Sequence, residues 1–157
     1  MTRFAKAKSL IAATFAVTLF APSAFAATEP PDPCSLLTPV QVSSVMHANY
    51  TAAVRSVAPR PFANTAAGTD CRYNGRNPLW FRIYYDGSGS EATTLFAKLK
   101  TFYSPTTPAS GIGDEAYFDK EGALHVRKGN VRFYINVGTD KAQQMVTKLG
   151  ETVTGEL

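Results

Sequence analysis

Aromatic and cationic side chains alternate with apolar ones along three stretches of this 157-residue chain. Leu79 to Tyr85 reads Leu-Trp-Phe-Arg-Ile-Tyr-Tyr, Leu124 to Lys128 reads Leu-His-Val-Arg-Lys, and Val131 to Val137 reads Val-Arg-Phe-Tyr-Ile-Asn-Val. A period of two puts successive side chains on opposite faces of a strand. One face then carries Leu79, Phe81, Ile83 and Tyr85 beside Leu124, Val126 and Val131, Phe133, Ile135, Val137. The other carries Trp80, Arg82 and Tyr84, then His125 and Arg127, then Arg132 and Tyr134 with Asn136. Rings and guanidinium groups interleaved in this way can stack a planar ligand or hold an anionic one. These residues are the candidate ligand-binding set. Two plainer readings stand beside it. Cross-strand aromatic and long cationic side chains stabilise an exposed sheet by packing alone, and the segment from Asn49 to Gly68 could lie over this face.

Catalytic patterns are sparse, and no catalytic residue is assigned. His47 and His125 are the two histidines. Neither belongs to an H-E-x-x-H helix, and no G-x-S-x-G elbow is present. Asp114-Glu115 is an adjacent carboxylate pair, but neighbours on a strand point to opposite faces. Asp119 and Glu121 flank a turn, a common place for acids. Gly87-Ser88-Gly89 lacks the Gly-Lys-Ser/Thr of a phosphate loop. If the protein is instead a small secreted hydrolase, its site is assembled only in three dimensions, with His125, Asp114 and Glu115 the first suspects. No cofactor is indicated.

The first 26 residues determine the setting in which any of these groups would work. Arg3, Lys6 and Lys8 make a positive start, Leu10 to Phe20 an apolar run of about 11 residues, and Ala24-Phe25-Ala26 an A-x-A cleavage site. The run is too short for a membrane span, which needs roughly 20 residues. A cleaved secretory signal peptide is expected, giving a periplasmic or secreted protein that starts at Ala27. No lipobox precedes Cys34, so no stable membrane anchor is expected after cleavage. Cleavage removes 3 of the 16 Lys and Arg and none of the 12 Asp and Glu, leaving 13 − 12 = +1. A chain so close to neutral gives no support for a nucleic-acid partner, even though single-strand RNA modules use aromatic-basic sheet faces. The expected partner is an unidentified protein or a small anionic or aromatic ligand.

Cys34 and Cys71 are the two cysteines. In an oxidising compartment such a pair reads as a disulfide. A metal pair or a reactive thiol is the alternative, but two distant cysteines and two histidines offer poor spacing for the four ligands of a zinc site. No metal site is assigned.

The elements that position these side chains follow from local signals. Ala27 to Pro33 is a proline-rich leader, and residues 34–157 form one domain. Thr38, Pro39 and Gln41 supply an N-cap, an N1 proline and a capping box for a helix to about Met46. Thr51 to Val57 reads as a possible strand, Ala58 to Gly68 as loop. Cys71 to Tyr73 and Leu79 to Tyr85 are strands about an Asn74-Gly75 turn. Ser90 caps a helix from Glu91 to about Tyr103. Glu115 to Asp119, Ala123 to Lys128 and Val131 to Val137 are three antiparallel strands. Thr139 or Asp140 caps a last helix to about Leu149. The expected class is α+β, a mainly antiparallel sheet with about three helices packed on one face.

Two segments carry a resemblance. Asp32-Pro33-Cys34-Ser35-Leu36-Leu37-Thr38, with Cys71-Arg72-Tyr73 later, and Gly111-Ile112-Gly113-Asp114-Glu115-Ala116-Tyr117-Phe118, with Leu124 to Gly129 later, are similar to uncharacterised exported bacterial proteins and lipoproteins of domain-of-unknown-function type. Their marks are a D-P-C-x-L-L-T opening and a G-[IL]-G-D-E-A-Y motif. The resemblance implies an α+β domain with a Cys34–Cys71 disulfide and carries no active site. The missing lipobox separates this chain from the lipid-anchored members. Taken together, the sequence points to an exported, non-catalytic binding or interaction domain. If the aromatic-basic face is the site, Trp80→Ala with Arg82→Ala should leave folding intact and abolish binding.

Overall fold

A computed structural model describes residues 31–63, 65–138 and 142–157. The expected signal peptide, the start of the expected leader and the expected Thr139/Asp140 cap lie outside the described residues. Seven strands form one sheet in the order β1-β2-β3-β7-β6-β5-β4, and every neighbouring pair is antiparallel. They are β1 (Thr51–Ala58), β2 (Gly68–Asn74), β3 (Leu79–Tyr85), β4 (Thr107–Pro108), β5 (Glu115–Phe118), β6 (Leu124–Lys128) and β7 (Val131–Asn136). Among the described residues four helices complete the α+β fold: α1 (Pro33–Leu36), α2 (Pro39–Met46), α3 (Gly89–Phe102) and α4 (Gln143–Glu156). Among the described residues, no helix is long and apolar enough to cross a membrane.

Local chemistry accounts for the helix starts. The Thr38 hydroxyl accepts from the Gln41 amide while Gln41 Oε1 accepts from the Thr38 amide, so the capping box opens α2 as the sequence reads. Asp32 and Pro33, read as leader, are instead the N-cap and first residue of the one-turn α1. Helix α3 starts at Ser88 and not at Ser90. Ser88 Oγ accepts from the Glu91 amide and Glu91 Oε2 accepts from the Gly87 amide, an S-x-x-E pattern that outcompetes the later serine. Helix α4 runs past Leu149 because Val146, Leu149 and Val153 continue its buried stripe. β2 begins at Gly68, three residues before its expected start, because β1 and β3 pair with it from both sides.

The apolar strand face buries as expected. Cys71, Tyr73, Leu79, Phe81, Ile83, Leu124, Val126, Phe133 and Ile135 join Leu36, Leu37 and Val42 of the α1–α2 region and Val146, Leu149 and Val153 of α4 in one core cluster. The Cys34–Cys71 disulfide, with Cα atoms 5.4 Å apart, ties α1 to β2. Helix placement departs from the expectation of a single covered face. Helix α3 lies on the opposite face, where Phe96 packs on the Tyr117 ring with centroids 5.0 Å apart. Rings and arginine stems explain this. They are polar in sequence but largely apolar in surface, so they can bury the Leu95-Phe96-Leu99 stripe.

Candidate binding site

Strand register fixes the geometry of the aromatic-basic face. Across β2, β3, β7, β6 and β5 runs the row Asp70, Arg82, Tyr134, His125, Tyr117, each directly opposite the next. One step along, Tyr84, Arg132, Arg127 and Glu115 form a second row over β3, β7, β6 and β5. Helix α3 covers part of these rows, and residues 59–61 of the β1–β2 connection cover another part. Tyr84 is 6% exposed, His125 4% and Arg132 2%, so the reading of these three as ordinary solvent-side residues fails.

Between the two covers a pocket of about 250 Å³ remains. Arg82, Tyr84, His125 and Tyr134 line it from the sheet. Leu99 and Tyr103 line it from the α3 side, and Pro59, Arg60 and Pro61 from the connection. The Tyr84 hydroxyl donates to the Pro59 carbonyl at 3.0 Å, which fixes the connection over the sheet.

Arg82, Arg132 and His125 each stand on a carboxylate. Arg82 Nε and Nη2 donate to the two oxygens of Asp70 at 2.6 and 3.0 Å, a bidentate pair that raises the guanidinium pKa although burial alone would lower it. Arg132 grips Asp86 in the same way, at 2.5 and 2.8 Å, with its guanidinium 5.0 Å from the Tyr84 ring centroid. His125 Nε2 faces Asp119 Oδ2 at 2.9 Å. Burial of Asp119 would raise its pKa. The hydrogen bonds from His125 and from the Ala123 and Glu121 amides outweigh burial and hold it below the usual carboxylate range. Asp119 is thus an acceptor only, so His125 Nε2 is the donor of this pair. Burial raises the Tyr84, Tyr103 and Tyr134 hydroxyls, with Arg82 opposing the rise in each case, and keeps all three as neutral donors.

His125 sits in an aromatic box. It stacks on Tyr117 with ring centroids 4.7 Å apart and meets Tyr103 at 4.9 Å and Tyr134 at 5.0 Å. Of the seven candidate residues, Arg82, Tyr84, His125 and Tyr134 converge on the pocket and Arg132 lies beneath it. Trp80 and Arg127 do not line it. Trp80 stands between Arg72 and Asn136, with the Arg72 guanidinium 5.4 Å from its ring centroid. Arg127 donates to Asp114 Oδ2 at 2.8 Å. The variant pair Trp80→Ala with Arg82→Ala is therefore the wrong test: one residue lies off the pocket, and removing the other strands the buried Asp70.

Asp114 and Glu115 do not join His125. Asp114 Oδ2 also accepts from the Gly129 amide at 2.8 Å, and Glu115 pairs with Lys100 at 2.9 Å. Sequence reasoning did not find Asp70, Asp86, Leu99 and Tyr103, because pairing across strands and helix placement bring them in. Asp119 was readable only as a turn residue, and it is one. Its Oδ1 accepts from the Glu121 and Ala123 amides. Among the described residues no group of three His, Cys, Asp or Glu side chains is placed to hold a metal ion.

No family model matches the chain. No curated protein matches it either. A crystal structure of a GTP binding regulator from Thermotoga maritima is 16% identical over 82% of this chain and 93% of its own, with a TM-score of 0.48, a likeness too loose to carry an argument.

Proposed function

We propose that this is an exported, non-catalytic binding domain whose ligand is a small planar molecule held between helix α3 and residues 59–61. The observation that carries this reading is the convergence of Arg82, Tyr84, His125 and Tyr134, from three neighbouring strands, on one pocket of about 250 Å³. Such a site is concave and largely pre-formed, with aromatic walls and few polar groups, as small-molecule sites generally are. Rings on both the sheet and the helix side supply stacking, and Arg60 and Arg82 supply cationic edges. A disulfide inside a domain of this size fits an oxidising compartment, in keeping with the signal-peptide reading of residues 1–26.

One observation favours a second reading. The buried Asp119–His125 pair places a carboxylate-oriented imidazole beside the pocket, as a hydrolase would require. Among the described residues none that lines the pocket is Ser, Thr or Cys, and no hydrogen bond joins His125 to the hydroxyl of a lining tyrosine, so no base-activated nucleophile is assembled there. Binding is therefore the better-supported function.

Native mass spectrometry of the protein from the exported fraction, followed by titration of the recovered small molecule, tests the proposal. Leu99 lines the pocket and is 8% exposed, so Leu99→Trp should fill the space and weaken binding by at least about tenfold, with the fold retained by circular dichroism. Unchanged affinity in the filled variant would overturn the pocket as the site.

A further inference from the structure

A second, smaller cavity of about 20 Å³ adjoins the first and shares Tyr84, Leu99, His125 and Tyr134 with it. Its volume suits one water-sized group. Arg132 lines it, together with Phe96 and Phe133. The Arg132 side chain is 2% exposed, and its Nε and Nη2 are both committed to Asp86. Nη1, the third nitrogen of the planar fork, is buried and has no hydrogen-bond partner. A buried guanidinium nitrogen without an acceptor is costly, and because Arg132 lines the cavity, an oxygen seated there is the acceptor within its reach. Charge placement indicates which kind. Asp70, Asp86 and Asp119 line neither cavity, whereas Arg60, Arg82 and Arg132 do, so the carboxylates stand behind the groups they neutralise.

We infer that the lower cavity is the seat of a carboxylate oxygen, and that the ligand is a planar carboxylic acid whose ring occupies the upper pocket while its anionic end meets Arg132 Nη1. This rests on the binding function proposed above and adds the ligand's charge and its orientation. A charged acceptor gains roughly twice what a neutral one does from the same donor.

Benzoate and its neutral counterpart benzamide are suitable probes, titrated into the purified protein by calorimetry at constant ionic strength. Benzoate should bind at least about tenfold more tightly. The preference should vanish in Asp86→Leu with Arg132→Met, a pair of changes that leaves no buried charge unpartnered. Should that variant fail to fold, guanidinium NMR of the wild type decides: benzoate must shift the Arg132 Nη resonances and benzamide must not. Equal affinities, or a preference that survives in the double variant, would overturn the inference and leave the upper pocket standing. Binding of neither probe, with Tyr103 and Tyr134 resonances unmoved, would overturn the pocket reading as well.

Discussion

Asp119 concentrates more structure in one carboxylate than any other side chain of the site. One oxygen closes the turn between β5 and β6 by accepting two backbone amides, and the other orients His125 in its aromatic box. Its side chain is 3% exposed, so replacing it leaves donors without water to satisfy them. The folded pKa is lowered relative to the unfolded chain. The stability contributed is therefore complete above the ordinary carboxylate pKa and is lost as pH falls through the lower folded value. Asp119→Asn should cost roughly 1.5–3 kcal/mol at neutral pH, the range for hydrogen bonds to a charged partner. It should also flatten the decline of stability below about pH 4 relative to wild type. Urea unfolding from pH 3 to 7 measures both, and parallel curves for the two proteins would contradict the assigned role.

Among the elements, the turn ahead of β5 shows what a sequence motif can mean physically. Gly111 and Gly113 have φ of 81° and 60°, Ile112 between them enters the core, and the Asp114 amide donates to the Arg127 carbonyl at 2.8 Å. A Cβ at Gly113 would stand 2.5 Å from that same backbone oxygen. Gly-Ile-Gly-Asp-Glu is thus a clasp that fastens the start of β5 to β6, and its acids serve structure. Gly113→Ala should destabilise toward the upper end of roughly 1–3 kcal/mol, since neither the backbone angle nor the carbonyl can yield cheaply. A thermal melt of the variant checks this, and an unchanged midpoint would refute it. The same contrast marks what the sequence could reveal. Alternation in β3, β6 and β7 identified the buried and the aromatic-basic faces, because a period of two is a local property. The side of the sheet on which α3 lands is not local. It depends on Tyr117, Tyr134 and Arg132 offering enough apolar ring and stem to bury Phe96 and Leu99, and alternation scores those residues as polar. Four of the seven candidate residues therefore reached the pocket, whereas Asp70, Asp86 and Tyr103 were visible only once strands had paired and the helix had docked.

At the scale of the whole molecule, helices on both sides of the sheet leave no tyrosine in an ordinary environment. Tyr50, Tyr73 and Tyr85 pack with the α1, α2 and α4 layer, and Tyr84, Tyr103, Tyr117 and Tyr134 with the α3 layer. The Cys34–Cys71 link closes 37 residues of chain and contributes about 3–4 kcal/mol in the chain-entropy model. Burial raises the pKa of all seven hydroxyls, with Tyr85 pushed to about 12 and Tyr73 and Tyr117 higher still. A folded pKa above the unfolded value near 10 means that the tyrosine contribution to stability is intact below pH 10 and is lost as pH rises through the folded values. The two layers share one sheet, so ionising the first buried ring in either should weaken the fold that shields the rest. Phenolate absorbance is therefore expected to stay flat past the ordinary tyrosine pKa and then to rise steeply, together with loss of far-ultraviolet circular dichroism. In concentrated denaturant the same chain should titrate smoothly near 10. A folded-state titration showing several tyrosines ionising near pH 10 with the sheet signal intact would contradict the two-sided burial on which the pocket depends.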